Sequence, residues 1–239
     1  MDSFTFIMII KKSNSILSSL IDNYLEKNPD VVSSSTKLSP TYIIGCERQC
    51  IYKLRGCPQK QRRSAKSSRI ALNGDYMHKR YFELFEKMGI LKEKEKFISH
   101  PTFPFIGFVD AIISINNSLY LIELKSISHD NFGKLKKPLE EHLMQVKLYL
   151  MLLRGNISKG IILYEDKNTQ DLKEFLVEYD SQIEDWFNQK FSRLLTFFNA
   201  GNLPERICFN IQDGINRWCP YVDECFKEER NEMEEKCAE

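Results

Sequence analysis

The sequence predicts a mixed α/β fold with one central β-sheet. Two kinds of observation lead to this prediction. Two pairs of short runs are rich in β-branched and aromatic residues, and amphipathic helical patterns lie before, between and after them. The chain has 239 residues, of which 42% are hydrophobic. That length and composition suit one folded domain with additions and argue against wholesale disorder.

The N-terminal part is predicted to be an extension of the sheet domain over residues 1–40. Within it, 14–26 has a helical pattern, and the Ser- and Pro-rich run 28–40 is typical of a loop. The next helix is predicted over 41–54. The basic, serine-containing segment 60–69 is expected to be mobile.

The β-hairpin is the clearest local signal in the chain. Strand-like runs over 108–115 and 119–125 flank the polar pair 116–117, and both members of that pair are asparagine. Further along, 160–164 and 174–179 have the composition of a second strand pair.

Three helices are predicted to pack around these strands, over 74–88, 138–153 and 181–199. The second begins with a proline, which suits the first turn of a helix. In the third, Ser181 and Glu184 have the spacing of a capping box.

Charge is unevenly distributed, although the net charge is only +1. Between residues 46 and 80 there are ten Lys and Arg residues and two acids, which predicts a phosphate-binding surface or, alternatively, a solvated basic face. No apolar run is long enough to cross a bilayer. The apolar run 4–10 has no positive charge before it, unlike a secretory signal. We therefore expect a cytoplasmic protein.

Asp110, Glu123 and Lys125 are predicted to meet on the hairpin. A turn centred on 116–117 places the two carboxylates directly opposite each other, and Lys125 shares the face of Glu123 because strand side chains alternate. Like charges across a sheet are unfavourable, so a bound divalent cation is one explanation for the pair. A solvent-facing strand edge with alternating charge is the other.

The order of these residues and of three more resembles the motif series of the RecB-like branch of the PD-(D/E)XK nuclease superfamily. The resemblance covers about residues 41–226 and implies a restriction-endonuclease-like core with a central mixed sheet over 71–200. The matching positions are His78, Asp110, Glu123-x-Lys125 and Gln145-x-x-x-Tyr149.

The resemblance also implies roles for these residues. Asp110, Glu123, His78 and the backbone carbonyl of Leu124 would hold Mg²⁺ or Mn²⁺. The alternative for His78 is a buried histidine with a satisfied hydrogen bond.

The remaining motif residues would act on water and phosphate. Lys125 would orient or help deprotonate the attacking water, and Gln145 would support that lysine or the substrate phosphate. Tyr149 shares a helix face with Gln145 because the two are four residues apart. As an isolated residue, a tyrosine on an amphipathic helix is more often part of the core.

The seven cysteines form an odd number in a chain without a secretory signal, which favours metal or redox chemistry over disulfides. Cys46-Glu-Arg-Gln-Cys50 and Cys219-Pro-Tyr-Val-Asp-Glu-Cys225 resemble the cysteine elements of CRISPR-associated and AddB-type nucleases and their phage or viral relatives. Those proteins hold a 4Fe–4S cluster. The alternative is a set of unconnected thiols.

The resemblance therefore implies a cluster region formed by segments 41–70 and 201–239. The family usually has a cysteine where this chain has Asn216, and Cys208 is the nearest substitute. Zn²⁺ could occupy the same four thiolates. Cys50 could replace one of them, whereas Cys57 and Cys237 are expected to be free. The predicted ligands are Cys46, Cys208, Cys219 and Cys225.

Such a cluster would join the two ends of the chain and close one wall of a DNA channel. Basic residues interleaved with aromatics suit single-stranded DNA through phosphate contacts and base stacking, although core packing is an alternative for the tyrosines. The predicted DNA-contacting residues are Arg48, Lys53, Arg55 and Tyr52.

The function implied by the resemblance is a metal-dependent DNA exonuclease acting on single strands or DNA ends. DNA is its expected partner, with a helicase, a recombination protein or a CRISPR adaptation protein as candidate protein partners. Three alternatives remain open: a structure-specific endonuclease, a non-catalytic iron–sulfur DNA-binding protein, and a cluster-based redox sensor.

Overall fold

The central sheet has five strands, and their spatial order follows the chain. They are β1 (Leu91–Ser99), β2 (Ile106–Ile115), β3 (Ser118–Ile127), β4 (Lys159–Asp166) and β5 (Leu172–Glu178). Only β3 and β4 are parallel; the other neighbours are antiparallel. A parallel pair needs a crossover connection, and here the connection includes a helix. The predicted mixed α/β fold with one central sheet is therefore confirmed.

This computed structural model describes residues 16–28, 35–59, 64–208 and 219–227. Parts of the predicted extension 1–40 and of the basic segment 60–69 lie outside those ranges, as do Asn216, Cys237 and most of the acidic C-terminal region. The division of the chain into 1–40, 41–70, 71–200 and 201–239 stays a prediction.

Eight helices lie in the described ranges, and none of them is both long and apolar enough to cross a bilayer. The short α2 and α3 pack with α6 and α7 in one apolar cluster. The helices are α1 (Ile16–Lys27), α2 (Pro40–Ile44), α3 (Glu47–Leu54), α4 (Ala65–Lys87), α5 (His129–Lys134), α6 (Glu140–Leu153), α7 (Gln182–Asn199) and α8 (Val222–Cys225).

The hairpin between β2 and β3 forms as predicted. Asn116 and Asn117 both have positive φ angles, 50° and 62°. Two consecutive residues in the left-handed region form a type I′ turn, whose twist matches that of the flanking strands. The resulting register pairs Ile115 with Ser118 and Ala111 with Ile122.

Two helices cover the two faces of this sheet. Ile122 and Leu124 of β3 pack against Phe82 and other α4 residues. Leu121, which points the opposite way, packs against Val146 and other α6 residues. Since strand side chains alternate, Glu123 and Lys125 belong to the same face as Leu121, the face that α6 covers.

Two expectations about the elements were wrong, and one strand was missed. The helix predicted over 41–54 is two helices, because the chain leaves helical geometry at Gly45, where ψ is −147°. Residues 65–69 are helical rather than mobile, since the Ser64 side chain accepts the Ser67 N–H at 3.2 Å and caps α4. Strand β1 was not predicted; its run of alternating Lys and Glu is typical of a charged edge strand.

The predicted capping box of α7 is also wrong. The Ser181 side chain makes no capping hydrogen bond. Asp180 Oδ1 accepts the Gln182 N–H at 3.0 Å instead. The Glu184 carboxylate accepts hydrogen bonds from Tyr179 and Arg154.

Helix α6 packs so closely on β4 at Gly160 that a methyl group there would collide with it. A Cβ atom added at Gly160 would lie 2.7 Å from Val146 Cγ1, and Val146 is fully buried. We expect Gly160→Ala to lower the free energy of unfolding by about 1–3 kcal/mol through overpacking. The midpoint of urea denaturation measures this.

Gly74→Ala is the matched control. Nothing lies within 4 Å of a Cβ atom at Gly74, which is inside α4, so we expect stabilisation of about 0.5–1 kcal/mol from helix propensity. Equal stability of Gly160→Ala and the wild type would contradict the packing described for α6.

Candidate active site

The site lies where β2 and β3 separate. Their paired residues end at Ala111 and Ile122, and the same register carried one pair further puts Asp110 opposite Glu123. There a side chain of β2, rather than its backbone, bonds to β3: Asp110 Oδ2 accepts the backbone N–H of Leu124 at 2.7 Å. The strands therefore open beside the two carboxylates, and helices from both faces of the sheet can reach them.

His78 of α4 closes this opening on one side. Its Nε2 lies 3.3 Å from the Leu124 carbonyl oxygen, and its Nδ1 lies 3.7 Å from Asp110 Oδ1. A carbonyl oxygen can only accept, so the proton of this hydrogen bond is on Nε2. In the neutral ring the Nδ1 lone pair then faces a carboxylate oxygen. This arrangement is unfavourable unless a proton or a cation lies between them.

Glu123 is almost completely buried, with a relative exposure of 1%. Its Oε1 lies 2.5 Å from Lys125 Nζ, whereas its Oε2 is buried and has no hydrogen-bond partner. Burial, followed by repulsion from Asp110, raises the pKa of Glu123 to about 8, although Lys125 and Gln145 act in the opposite direction. An unpartnered buried carboxylate oxygen is costly and needs an explanation.

The pKa of Asp110 is raised as well, mainly by burial, against the lowering effects of His78, the Leu124 N–H and Lys125. Two neighbouring carboxyl groups are thus both held where negative charge is unfavourable. A cation placed between them would offset that cost.

Gln145 and Tyr149 reach the same region from α6. Gln145 Nε2 donates to the Tyr149 hydroxyl oxygen at 3.2 Å, and the Tyr149 ring is buried. A Cβ atom at Gly107 would overlap that ring, so β2 needs glycine there to let Tyr149 lie against it. Tyr149 is therefore part of the core. Burial, followed by the nearby Glu123, raises the pKa of the Tyr149 hydroxyl.

The predicted metal ligands surround the opening without enclosing a metal position. Within the ranges that the structure describes, no group of three or more His, Cys, Asp or Glu side chains has the arrangement of a metal site. Glu123 is paired with the Lys125 ammonium instead. The chemistry of the donors still fits a hard divalent cation, because carboxylate and carbonyl oxygens with one imidazole suit Mg²⁺ or Mn²⁺.

Two groups that border the site, His142 and Tyr164, do not belong to the nuclease motif series and were not predicted. His142 Nδ1 lies 2.8 Å from the Tyr164 hydroxyl oxygen, and Tyr164 is paired with Lys125 between β4 and β3. The sequence held one signal, since His142 precedes Gln145 by three residues and so shares its helix face. The position of Tyr164 depends on the strand register, which the local sequence does not specify.

The four predicted cluster cysteines line one cavity. The pKa of Cys219 is raised by burial and also by the nearby Cys225, Cys46 and Cys208. Two side chains from α3 donate towards the sulfur atoms: Gln49 Nε2 lies 3.4 Å from Cys219 Sγ, and Arg48 Nη1 lies 3.6 Å from Cys225 Sγ.

The other described cysteines do not line that cavity. The Cys50 thiol is buried and donates to the Tyr42 carbonyl oxygen at 3.0 Å. Cys57 packs against the apolar cluster that contains Cys219 and Cys225, but outside the cavity. No two of the six cysteines in the described ranges form a disulfide.

All four predicted DNA-contacting residues make internal contacts. Arg48 Nε donates to the Pro204 carbonyl oxygen at 2.5 Å. The centroids of the Tyr52 and Tyr221 rings are 5.6 Å apart. Lys53 is buried and its ammonium lies over the Tyr42 ring. Arg55 Nη2 donates to the Asn202 carbonyl oxygen at 3.0 Å. The contacts of Arg48, Tyr52 and Arg55 join the α3 region to residues 202–204 and to Tyr221, whereas the Lys53 contact joins it to α2. The DNA-binding role of the four residues stays a prediction.

No family profile and no curated protein matches this chain. Solved structures do match it. SSO0001 is 21% identical, with a TM-score of 0.51 over 86% of this chain and 93% of that one. Two structures of LHK-Exo are also similar, and each covers 70% of this chain and 90% of LHK-Exo.

LHK-Exo is an alkaline exonuclease from Laribacter hongkongensis. Its complex with dAMP is 17% identical to this chain with a TM-score of 0.54, and the other structure is 18% identical with a TM-score of 0.52. At such identities the likeness concerns the fold. The chain therefore has the α/β fold of these structures, in which a mixed sheet is flanked by helices.

Proposed function

We propose that this protein is a metal-dependent DNA exonuclease of the RecB-like PD-(D/E)XK superfamily. It would hydrolyse phosphodiester bonds at DNA ends or in single strands. The observation that carries the proposal is the unpartnered buried oxygen of Glu123, held next to Asp110 and on the same sheet face as Lys125. The fold shared with an alkaline exonuclease supports it.

A divalent cation would be held by Asp110, Glu123 Oε2, His78 Nδ1 and the Leu124 carbonyl oxygen. Two of these atoms are available for it: Glu123 Oε2 lacks a partner, and the lone pair of His78 Nδ1 faces Asp110. When bound, Mg²⁺ or Mn²⁺ supplies Lewis-acid activation of water and of the scissile phosphate.

Lys125 links the buried carboxylate to the solvent. Its side chain is 25% exposed, and its ammonium contacts Glu123 Oε1. It can therefore donate to a water molecule or a phosphate oxygen without leaving Glu123, and its positive charge opposes the negative charge that develops on phosphorus. Gln145 of α6 donates a hydrogen bond to Tyr149, and its side chain favours the charged form of Glu123 by lowering the pKa of that carboxyl group.

The cavity lined by four cysteines is proposed to hold a 4Fe–4S cluster, with Zn²⁺ as the alternative for the same ligands. The ligands would be Cys46, Cys208, Cys219 and Cys225. The N–H groups of Arg48 and Gln49 directed at the sulfur atoms suit thiolates, because such donors offset their negative charge. The group would be structural and would join α3 to α8.

The nuclease proposal predicts loss of activity in two conservative variants. We expect Asp110→Asn and Lys125→Met to lower Mn²⁺-dependent release of nucleotides from end-labelled linear DNA by about 10²-fold or more, because each removes charge from the reacting centre. Far-UV circular dichroism should stay unchanged.

Lys159→Met is the matched control, since Lys159 lies at the far end of β4 and has only a loose ion pair with Glu178. Undiminished turnover in both site variants would refute the site. Cleavage of closed circular DNA as fast as linear DNA would assign an endonuclease instead.

The cation site can be tested without activity. We expect saturating Mn²⁺ to stabilise the wild type by about 2.7 kcal/mol at a concentration of 100 Kd, measured by thermal unfolding, because the ion binds only the folded state. Glu123→Gln should gain nothing from Mn²⁺. Without Mn²⁺ it should be at least as stable as the wild type, because it buries no charge.

Glu178→Gln serves as the control, because this glutamate is exposed on β5. It should respond to Mn²⁺ like the wild type. Equal stabilisation of Glu123→Gln by Mn²⁺ would exclude the Glu123 carboxylate as a ligand.

The cysteine cavity predicts a brown protein when it is purified without oxygen, with absorption near ~400 nm from iron–thiolate ligation. We expect Cys219→Ala to lose both the colour and the iron, whereas Cys57→Ala keeps them. A colourless protein without iron would contradict the cluster, and stoichiometric zinc in its place would support the alternative metal.

A further inference from the structure

His142 lies in the first turn of α6, three residues before Gln145 and seven before Tyr149. Residues with this spacing occupy one helix face, so the three side chains form a row over the sheet. Beneath this row lie Glu123, Lys125 and Tyr164, because Lys125 and Tyr164 are paired in the parallel ladder and so point to the same face. His142 therefore lies at the Lys125 end of the site.

The hydrogen bonds of Tyr164 favour one tautomer of this histidine. The backbone N–H of Leu139 donates to the Tyr164 hydroxyl oxygen at 3.0 Å. The single proton of that hydroxyl is then available for His142 Nδ1, 2.8 Å away. Acceptance by Nδ1 gives the hydroxyl proton a partner, and it places the proton of the neutral ring on Nε2.

The ring is also held neutral. Burial and the positive charge of Lys125 lower the pKa of His142 to about 4. Such a ring is a poor general base near neutral pH, and its only basic nitrogen is already occupied by Tyr164. What remains is a fixed, uncharged N–H donor.

No described residue accepts a hydrogen bond from His142 Nε2, and the side chain is only half-buried. The substrate of the proposed nuclease would bring phosphate oxygens to Lys125, and these are strong acceptors. A neutral donor can contact such an oxygen without attracting Asp110 or Glu123 away from a cation.

We propose that His142 is a substrate-contacting residue whose Nε2–H donates to a non-bridging phosphate oxygen of the bound DNA strand, and that Tyr164 is the positioning residue that fixes its tautomer. This inference rests on the proposed nuclease function and extends it to the residues that hold the strand.

Steady-state kinetics on linear DNA with Mn²⁺ test the contact. We expect His142→Phe to lower kcat/KM by roughly 10- to 100-fold, the range for a lost hydrogen bond to a charged group. Most of the change should be in KM, because the contact exists before and during the reaction. His142→Gln should recover much of the loss, since its amide N–H can take the place of Nε2–H. Glu140→Gln, an exposed neighbour in the same turn, is the control.

The tautomer provides a second readout that does not need DNA. Imidazole ¹⁵N chemical shifts of the wild type at pH 7 should show His142 protonated on Nε2 alone, and Tyr164→Phe should abolish that preference. Protonation on Nδ1 would overturn the role of Tyr164.

The two proposals fail separately. An active wild type with an equally active His142→Phe variant overturns only the phosphate contact. A wild type that does not degrade DNA with Mn²⁺ overturns the nuclease function and this inference together.

Discussion

The burial of the Glu123 carboxylate is the constraint on which the site depends. One of its oxygens contacts Lys125, the other has no partner, and Asp110 adds a second carboxylate nearby. A fold selected for stability alone would favour a neutral side chain here, because a buried carboxylate oxygen without a hydrogen-bond partner is destabilising. A bound cation would offset the negative charge of the two carboxylates, and the proposed chemistry depends on that cation.

The sheet makes this burial possible in two ways. The type I′ turn at Asn116 and Asn117 fixes the register that brings Asp110 to Glu123. Pairing of β2 with β3 ends at the Ala111–Ile122 pair, and Asp110 and Glu123 lie just beyond it. His78 of α4 reaches the resulting opening from one face of the sheet, while α6 covers the other face. One local turn and two packed helices thus determine which side chains meet.

The hairpin was predictable because its determinants are local: two strand-like runs, two asparagines and alternation of side chains. The motif resemblance named His78, Gln145 and Tyr149, but spacing alone could not show that α4 and α6 cover opposite faces. Strand β1 was missed because its alternating Lys and Glu residues lack the apolar pattern of a strand. The break at Gly45 separates two short helices that both belong to one apolar cluster with α6 and α7. Tyr164 needed the β3–β4 register, a long-range feature.

The most direct measurement is anomalous X-ray diffraction from crystals soaked in Mn²⁺. The proposed cation site predicts a peak in the opening between β2 and β3, within coordination distance of Asp110, Glu123 and the Leu124 carbonyl oxygen. Crystals whose Mn²⁺ lies only elsewhere, with Glu123 still paired to Lys125 alone, would contradict it.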